Sequence, residues 1–140
     1  MGERLSTSED RIRRVGALFI SEGQLLLARS FDVETWYTPG GKPDNNESDQ
    51  SALVREIREE LNVDIIPSTV QLFDVYEAPA HNKPNGIIVD LRCYTAEYDG
   101  IPSPGREVVE IGLYPREING NIGTATRRVV NDLKKRKMIE

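Results

Sequence analysis

A chain of 140 residues with 23 acidic and 18 basic side chains, net charge −5, has the length of one ordinary domain with a sizeable core. That balance excludes a broad basic surface for gripping duplex nucleic acid, while small anionic substrates remain compatible wherever a bound metal reverses the local charge. One cysteine excludes an internal disulfide framework, and no apolar run approaches the roughly 20 residues of a membrane span; a cytoplasmic location is expected.

Residues 1–11 are polar and aperiodic and read as a flexible tail, leaving 12–140 as a single domain. The start, Met1-Gly2-Glu3-Arg4-Leu5-Ser6, fits the loose myristoylation pattern, but so short a pattern is weak evidence for a lipid anchor, and no secretory leader is legible. The apolar run Val15–Ile20, the turn Ser21-Glu22-Gly23 and the run Gln24–Ala28 predict a β-hairpin whose second strand ends at Arg29. Trp36-Tyr37-Thr38 reads as a strand, with Trp36 expected in the core rather than as a stacking platform. Pro39 has no N–H for a ladder, so the strand stops there and releases the chain into a Gly40-Gly41 loop. Gly40-Gly41-Lys42 lacks the spacer and hydroxyl residue of a phosphate-binding P-loop.

A helix follows. Ser48 is its N-cap, Asp49 suits the positive end of its dipole, and Asn62 suits the left-handed residue that ends many helices. Leu53, Val54, Ile57 and Leu61 share one face, the core stripe, and Glu56, Glu59 and Glu60 share the face beside it. Like charges at this spacing repel. Two readings stand: a solvated acidic face with Arg55 and Arg58 as helix ion pairs, or a site for Mg²⁺ or Mn²⁺, which take hard carboxylate oxygens. Gly40-Gly41 lets backbone approach a ligand closely, and Glu47 is placed to pair with Arg55 and brace the loop onto the helix.

Beyond the helix, Val63–Ile66 is a short strand, and Val70–Ala78 and Ile87–Tyr98 are longer ones joined by a loop that holds His81, the only histidine. Solvent exposure is the simpler reading of His81, an active-site edge the other. In Ile87–Tyr98, Val89, Leu91 and Cys93 face one way and Ile88, Asp90, Arg92 and Tyr94 the other, which predicts a sheet covered on both sides and a buried, structural thiol. Gly100–Gly105 is a turn segment, Ile111–Tyr114 a last strand, and Ala125, Val129 and Leu133 mark a final helix with Thr124 as its cap. The run Lys134-Lys135-Arg136-Lys137 is accounted for by the negative end of that helix dipole, without a nucleic-acid partner.

Gly41, Glu47 and the run Arg55-Glu56-Ile57-x-Glu59-Glu60-x-Asn62-Val63, at their spacing, resemble the signature of the Nudix hydrolases, the MutT-like pyrophosphohydrolases. The one departure is Asn62, where that signature usually has glycine. The resemblance implies an α/β (α+β) fold, an α/β/α sandwich with a mixed sheet flanked by helices. It further implies Mg²⁺, or Mn²⁺, held by Glu56, Glu59 and Glu60 with the Gly40 carbonyl, the same glutamates being catalytic, and Glu47 and Arg55 as structural brace. An additional carboxylate is expected from the later loops: Glu107 first, Glu110 in reserve, surface exposure being the alternative for both. Arg29, Gly41 and Lys42 are the candidates for substrate contact, with simple surface exposure the other reading of Arg29. The implied reaction cleaves the P–O–P bond of a nucleoside diphosphate linked to some group X. A nucleoside triphosphate, normal or oxidised, is the first choice; ADP-ribose, nucleotide sugars and dinucleoside polyphosphates are alternatives, as is a nucleotide sensor without catalysis. The partner is then a small nucleotide, with no nucleic acid or membrane, as monomer or homodimer.

Overall fold

The computed structural model describes residues 11–80 and 86–140, so His81 lies outside the described residues. The apolar run Val15–Ile20 does not stay in one strand. β1 (Arg11–Ala17) ends where Leu18 turns to one core cluster and Phe19 to the other, and only then does β2 (Ile20–Ser21) begin. Glu22 and Gly23, both at positive φ, carry β2 into β3 (Gln24–Ser30). The predicted hairpin therefore consists of β2 and β3 alone, and β1 joins another sheet.

That other sheet is mixed. β1 lies between β4 (Gly40–Gly41), antiparallel to it, and β7 (Ile88–Thr95), parallel to it, and β6 (Gln71–Pro79) closes the far edge antiparallel to β7. Gly40-Gly41, expected as loop, is thus a short strand with Val15 opposite Gly41 and Gly16 opposite Gly40. Trp36–Thr38 makes isolated bridges instead of a full strand, Tyr37 to Ala28 and Trp36 to Ile122. A second sheet runs β2-β3-β9, with β9 (Val108–Tyr114) starting earlier than its apolar pattern suggested, and β5 (Asp64–Ile65) pairs with β8 (Tyr98–Asp99).

Helices flank the sheets. Ala52, Leu53, Ile57 and Leu61 of α1 (Asp49–Leu61) pack on Val15, Ala17, Phe19 and Leu26, whereas Val129, Val130 and Leu133 of α2 (Thr124–Lys135) pack on Leu25, Leu27, Leu91 and Cys93. Strand alternation does the sorting: Leu26 faces α1 while Leu25 and Leu27 face α2. Trp36 belongs to the α2-side core, and burial pushes the Cys93 thiol up to about 12, as befits an inert core cysteine. α2 takes Gly123 as its N-cap without a side-chain bond; Thr124, expected to cap, is already inside the helix.

α1 explains its own acidic face by magnitude. Leu53, Ile57 and Leu61 are completely buried. Each such side chain stabilises by about 1.5–3 kcal/mol, against a few tenths for each like-charge pair on an exposed helix face. Ser48 caps the start by accepting from the Ser51 N–H, and Asn62 ends the helix at φ 58 with its N–H on the Arg58 carbonyl. The Asn62 side chain also donates to the Ser103 carbonyl and hydroxyl and to the Pro104 carbonyl, a tether that the sequence reading did not foresee.

Asn62→Gly keeps the left-handed backbone and loses only half-exposed side-chain bonds, so it should cost about 1 kcal/mol or less in urea unfolding. Asn62→Ala adds the left-handed penalty of roughly 1–2 kcal/mol. Equal losses in the two variants would mean that the tether, not the backbone conformation, dominates.

Candidate active site

The site is assembled where α1 passes under β4. Gly40 donates its N–H to Glu60 Oε1 at 2.9 Å. A Cβ on Gly40 would fall 2.0 Å from the Val15 carbonyl oxygen, and one on Gly41 would fall 1.8 Å from Glu56 Oε2. Backbone leaves no room for a side chain at Gly40, and at Gly41 a Cβ would displace the Glu56 carboxylate from its place under the strand.

The predicted brace forms. Arg55 donates from Nε to Glu47 Oε2 at 2.9 Å and from Nη2 to Glu47 Oε1 at 2.8 Å, a two-point pair, and the Asp44 N–H adds a bond to the same carboxylate at 2.8 Å. The Arg55 bonds, helped by Asp44, hold the Glu47 carboxyl down at about 2. Arg55 also donates through Nη1 to Glu59 Oε1 at 3.1 Å, with Glu56 Oε1 at 3.6 Å. One arginine therefore fixes the 42–47 loop and orients the acidic face.

Glu56 and Glu60 are buried and Glu59 is partly exposed. Burial is the main cause that pushes the Glu60 carboxyl up to about 7; the charges of Glu56 and Glu107 add to it, and the Gly40 N–H opposes it. Glu56 is raised as well, first by burial and then by Glu59, with Arg55 opposing. Glu107, partly exposed in the turn just before the last sheet strand, acts on Glu60 through its charge and lies 3.4 Å from Arg106 Nε.

Two residues of this neighbourhood were not singled out from sequence. Tyr37 hydrogen-bonds with Ser30, is pushed up to about 12 mainly by burial, and lines a cavity of about 170 Å³ with Arg14, Gly40, Gly41 and Thr126. Arg106 places Nη1 on Glu59 Oε1 and 3.5 Å from Glu56 Oε1, and Nε 3.4 Å from Glu107 Oε2. Its signal in the sequence was only its place after a Pro-Gly turn. Of the expected substrate contacts, Gly41 backs onto Glu56 and Lys42 is exposed. Arg29 bonds to Glu110 at 2.8 and 2.6 Å and to the Val33 carbonyl, rather than to the glutamate group; Glu110 is engaged by the same pair.

The donor set is made of hard oxygens, two of them on carboxylates whose proton affinity is raised first by burial, and carboxylate oxygens suit a small divalent cation. Among the described residues no three His, Cys, Asp or Glu form a ready-made metal cage. Arg55 and Arg106 both reach the Glu56 and Glu59 oxygens.

The NUDIX domain model matches residues 10–131. A Bacillus subtilis (strain 168) protein, provisionally named 8-oxo-dGTP diphosphatase, is 31% identical over 79% of this chain and 71% of its own length. The crystal structure of a MutT NUDIX hydrolase from Burkholderia pseudomallei superposes with a TM-score of 0.72 at 25% identity, over 86% of this chain and 96% of that one. An ADP-ribose pyrophosphatase from Streptococcus suis shares the fold, with a TM-score of 0.62 at 19% identity over 89% and 91% of the two chains.

Arg55→Ala strands Glu47 and should lower the melting temperature at pH 7. Because the Glu47 carboxyl is depressed from 4.5 to about 2, the stability it contributes is present above pH 4.5 and lost as pH falls toward 2, so the gap to wild type should close over that range. Glu60 has the opposite sign: its charging opposes folding as pH rises from 4.5 through about 7. In chelator at pH 8, Glu60→Gln should stabilise by something on the order of 1–3 kcal/mol, and by nothing near pH 4.5. Thermal melts across pH check both signs.

Proposed function

We infer that this chain, which belongs to the Nudix family of hydrolases acting on phosphoric anhydrides, is a MutT-like, Mg²⁺-dependent pyrophosphohydrolase. Its proposed substrate is a nucleoside triphosphate, normal or oxidised, cleaved at a P–O–P bond to the monophosphate and pyrophosphate. The observation that carries the reading is the seating of Glu56 and Glu60 beneath Gly40-Gly41, with Arg55 and Glu47 holding the assembly in register.

Glu56, Glu59 and Glu60, with the Gly40 carbonyl, would hold Mg²⁺, and Mn²⁺ suits the same oxygens. When bound, the ion supplies positive charge that polarises phosphorus and acidifies a coordinated water. The protein's share is to fix the carboxylates, to keep the floor of the site dry, and to take up a proton. Glu107, whose charge reaches Glu60 from outside the helix, is assigned as proton acceptor. The cavity beside Tyr37 and Arg14 adjoins Gly40-Gly41 and is the proposed seat of the nucleotide's organic part, with Arg14 as the cation that lines it. The exposed Lys42, next along the chain, is the proposed contact to phosphates, whereas Arg29 is engaged by Glu110. The name of the Bacillus relative favours a triphosphate over the other diphosphate derivatives. A nucleotide sensor without catalysis fits less well, because the glutamate set is complete. No helix among the described residues is long and apolar enough to cross a membrane, and we assign the enzyme to the cytoplasm on its cysteine usage.

Removing one ligand should cost several kcal/mol of transition-state stabilisation, so Glu59→Gln and Glu60→Gln should each lose about 100-fold or more of Mg²⁺-dependent turnover with folding intact. Product-resolved assays with nucleoside triphosphates, ADP-ribose, nucleotide sugars and dinucleoside polyphosphates decide the substrate. Both variants within a few-fold of wild type would sink the ligand assignment, and turnover of ADP-ribose alone would replace the triphosphate.

A further inference from the structure

We propose that Arg106 is an exchangeable counter-ion that sets the metal affinity of this site: its guanidinium occupies the Glu59 and Glu56 oxygens and must leave them when a divalent cation enters. The inference rests on the metal reading above and adds to it a residue outside the helix signature.

Arg106 is placed there by backbone, not by chance contact of a long side chain. Ser103 donates its N–H to the Leu61 carbonyl at 2.9 Å and Gly105 donates to the Glu60 carbonyl at 2.9 Å, so the turn is stitched to the last turn of α1. A Cβ on Gly105 would meet the Glu59 carbonyl oxygen at 2.5 Å, so only glycine permits this approach. Arg106 follows at φ 53, and the Asn62 side chain holds the preceding residues from the helix side.

The two arginines at the site differ in how firmly they are held. Arg55 reaches Glu59 too, but its other guanidinium edge is locked in two bonds to Glu47, so it cannot leave without dismantling the brace. Arg106 is 52% exposed, and the contacts made by its guanidinium are to Glu56, Glu59 and Glu107. Its departure breaks no other part of the fold.

A guanidinium has donors only and cannot coordinate a cation. A divalent ion needs the same carboxylate lone pairs at about 2.0–2.1 Å and would sit against a like charge. The two cations therefore compete for the Glu59 and Glu56 Oε1 atoms, and each weakens the other by the same factor.

Titration calorimetry with Mn²⁺ alone, without nucleotide, tests this in the full chain. Arg106→Asn removes the charge while keeping a residue that tolerates the left-handed backbone, and Arg106→Lys keeps a cation. For a half-exposed pair the Mn²⁺ dissociation constant should fall about two- to fivefold in Arg106→Asn and stay near wild type in Arg106→Lys. The Mn²⁺-induced rise in melting temperature should grow in Arg106→Asn for the same reason. Glu59→Gln serves as control and should weaken Mn²⁺ binding. An unchanged or larger dissociation constant in Arg106→Asn, with Glu59→Gln weakened, overturns the exchange and leaves the metal site standing. Unchanged binding in Glu59→Gln overturns the metal site as well.

Discussion

The seating of two glutamates under a pair of glycines is the constraint on which the rest of this structure depends. Gly40 and Gly41 lie so close to Val15 and to Glu56 that a β-carbon on either would overlap its neighbour. The strand can take that position only because β1 pairs with it, and β1 is fixed in turn by its parallel partner β7. On the other side, Leu53, Ile57 and Leu61 press α1 against the same sheets. The apolar stripe thus does more than bury surface: it sets the height at which the acidic face meets β4.

The charge is then distributed unevenly, and that unevenness has chemical meaning. Glu47 is overcompensated, with Arg55 and a backbone donor on one carboxylate. Glu60 is undercompensated: burial first, and then two other carboxylates, raise its proton affinity, and one N–H opposes them. A protein selected for stability alone would have no reason to keep a buried carboxyl in that condition, since an uncharged isostere would remove the strain. Buried carboxylates perturbed in this way are concentrated at functional sites.

Local patterns made much of this legible. The caps of α1, its apolar stripe, the Glu47–Arg55 pair and the burial of Cys93 and Trp36 all follow from spacing and side-chain chemistry, and the structure has them. What stayed hidden depended on long-range register. Val15–Ile20 reads as one apolar run because both halves are buried, yet Leu18 and Phe19 turn to opposite sides and divide it between sheets. Gly40-Gly41 looks like loop because its partner, β1, lies far away in sequence. Arg29 could not be assigned without knowing that β9 brings Glu110 opposite it. Arg106 and Glu107 reach the site through a turn whose contacts with α1 are mostly backbone bonds, and such bonds leave little trace in residue type.

Asn62 shows how one departure from a family pattern can extend a local motif. Glycine at a helix end satisfies the backbone and nothing more. Asparagine satisfies the backbone nearly as well, and its amide is free to bond outward, here to Ser103 and Pro104. The residue that stops the glutamate-bearing helix therefore also ties down the turn that carries Arg106 and Glu107. Helix end and second-sheet entry become one rigid corner, so the spacing between the helix glutamates and the loop carboxylate is set within a few residues rather than through the whole sheet. In a small domain, that is a direct way to hold a loop carboxylate at a fixed distance from the helix glutamates.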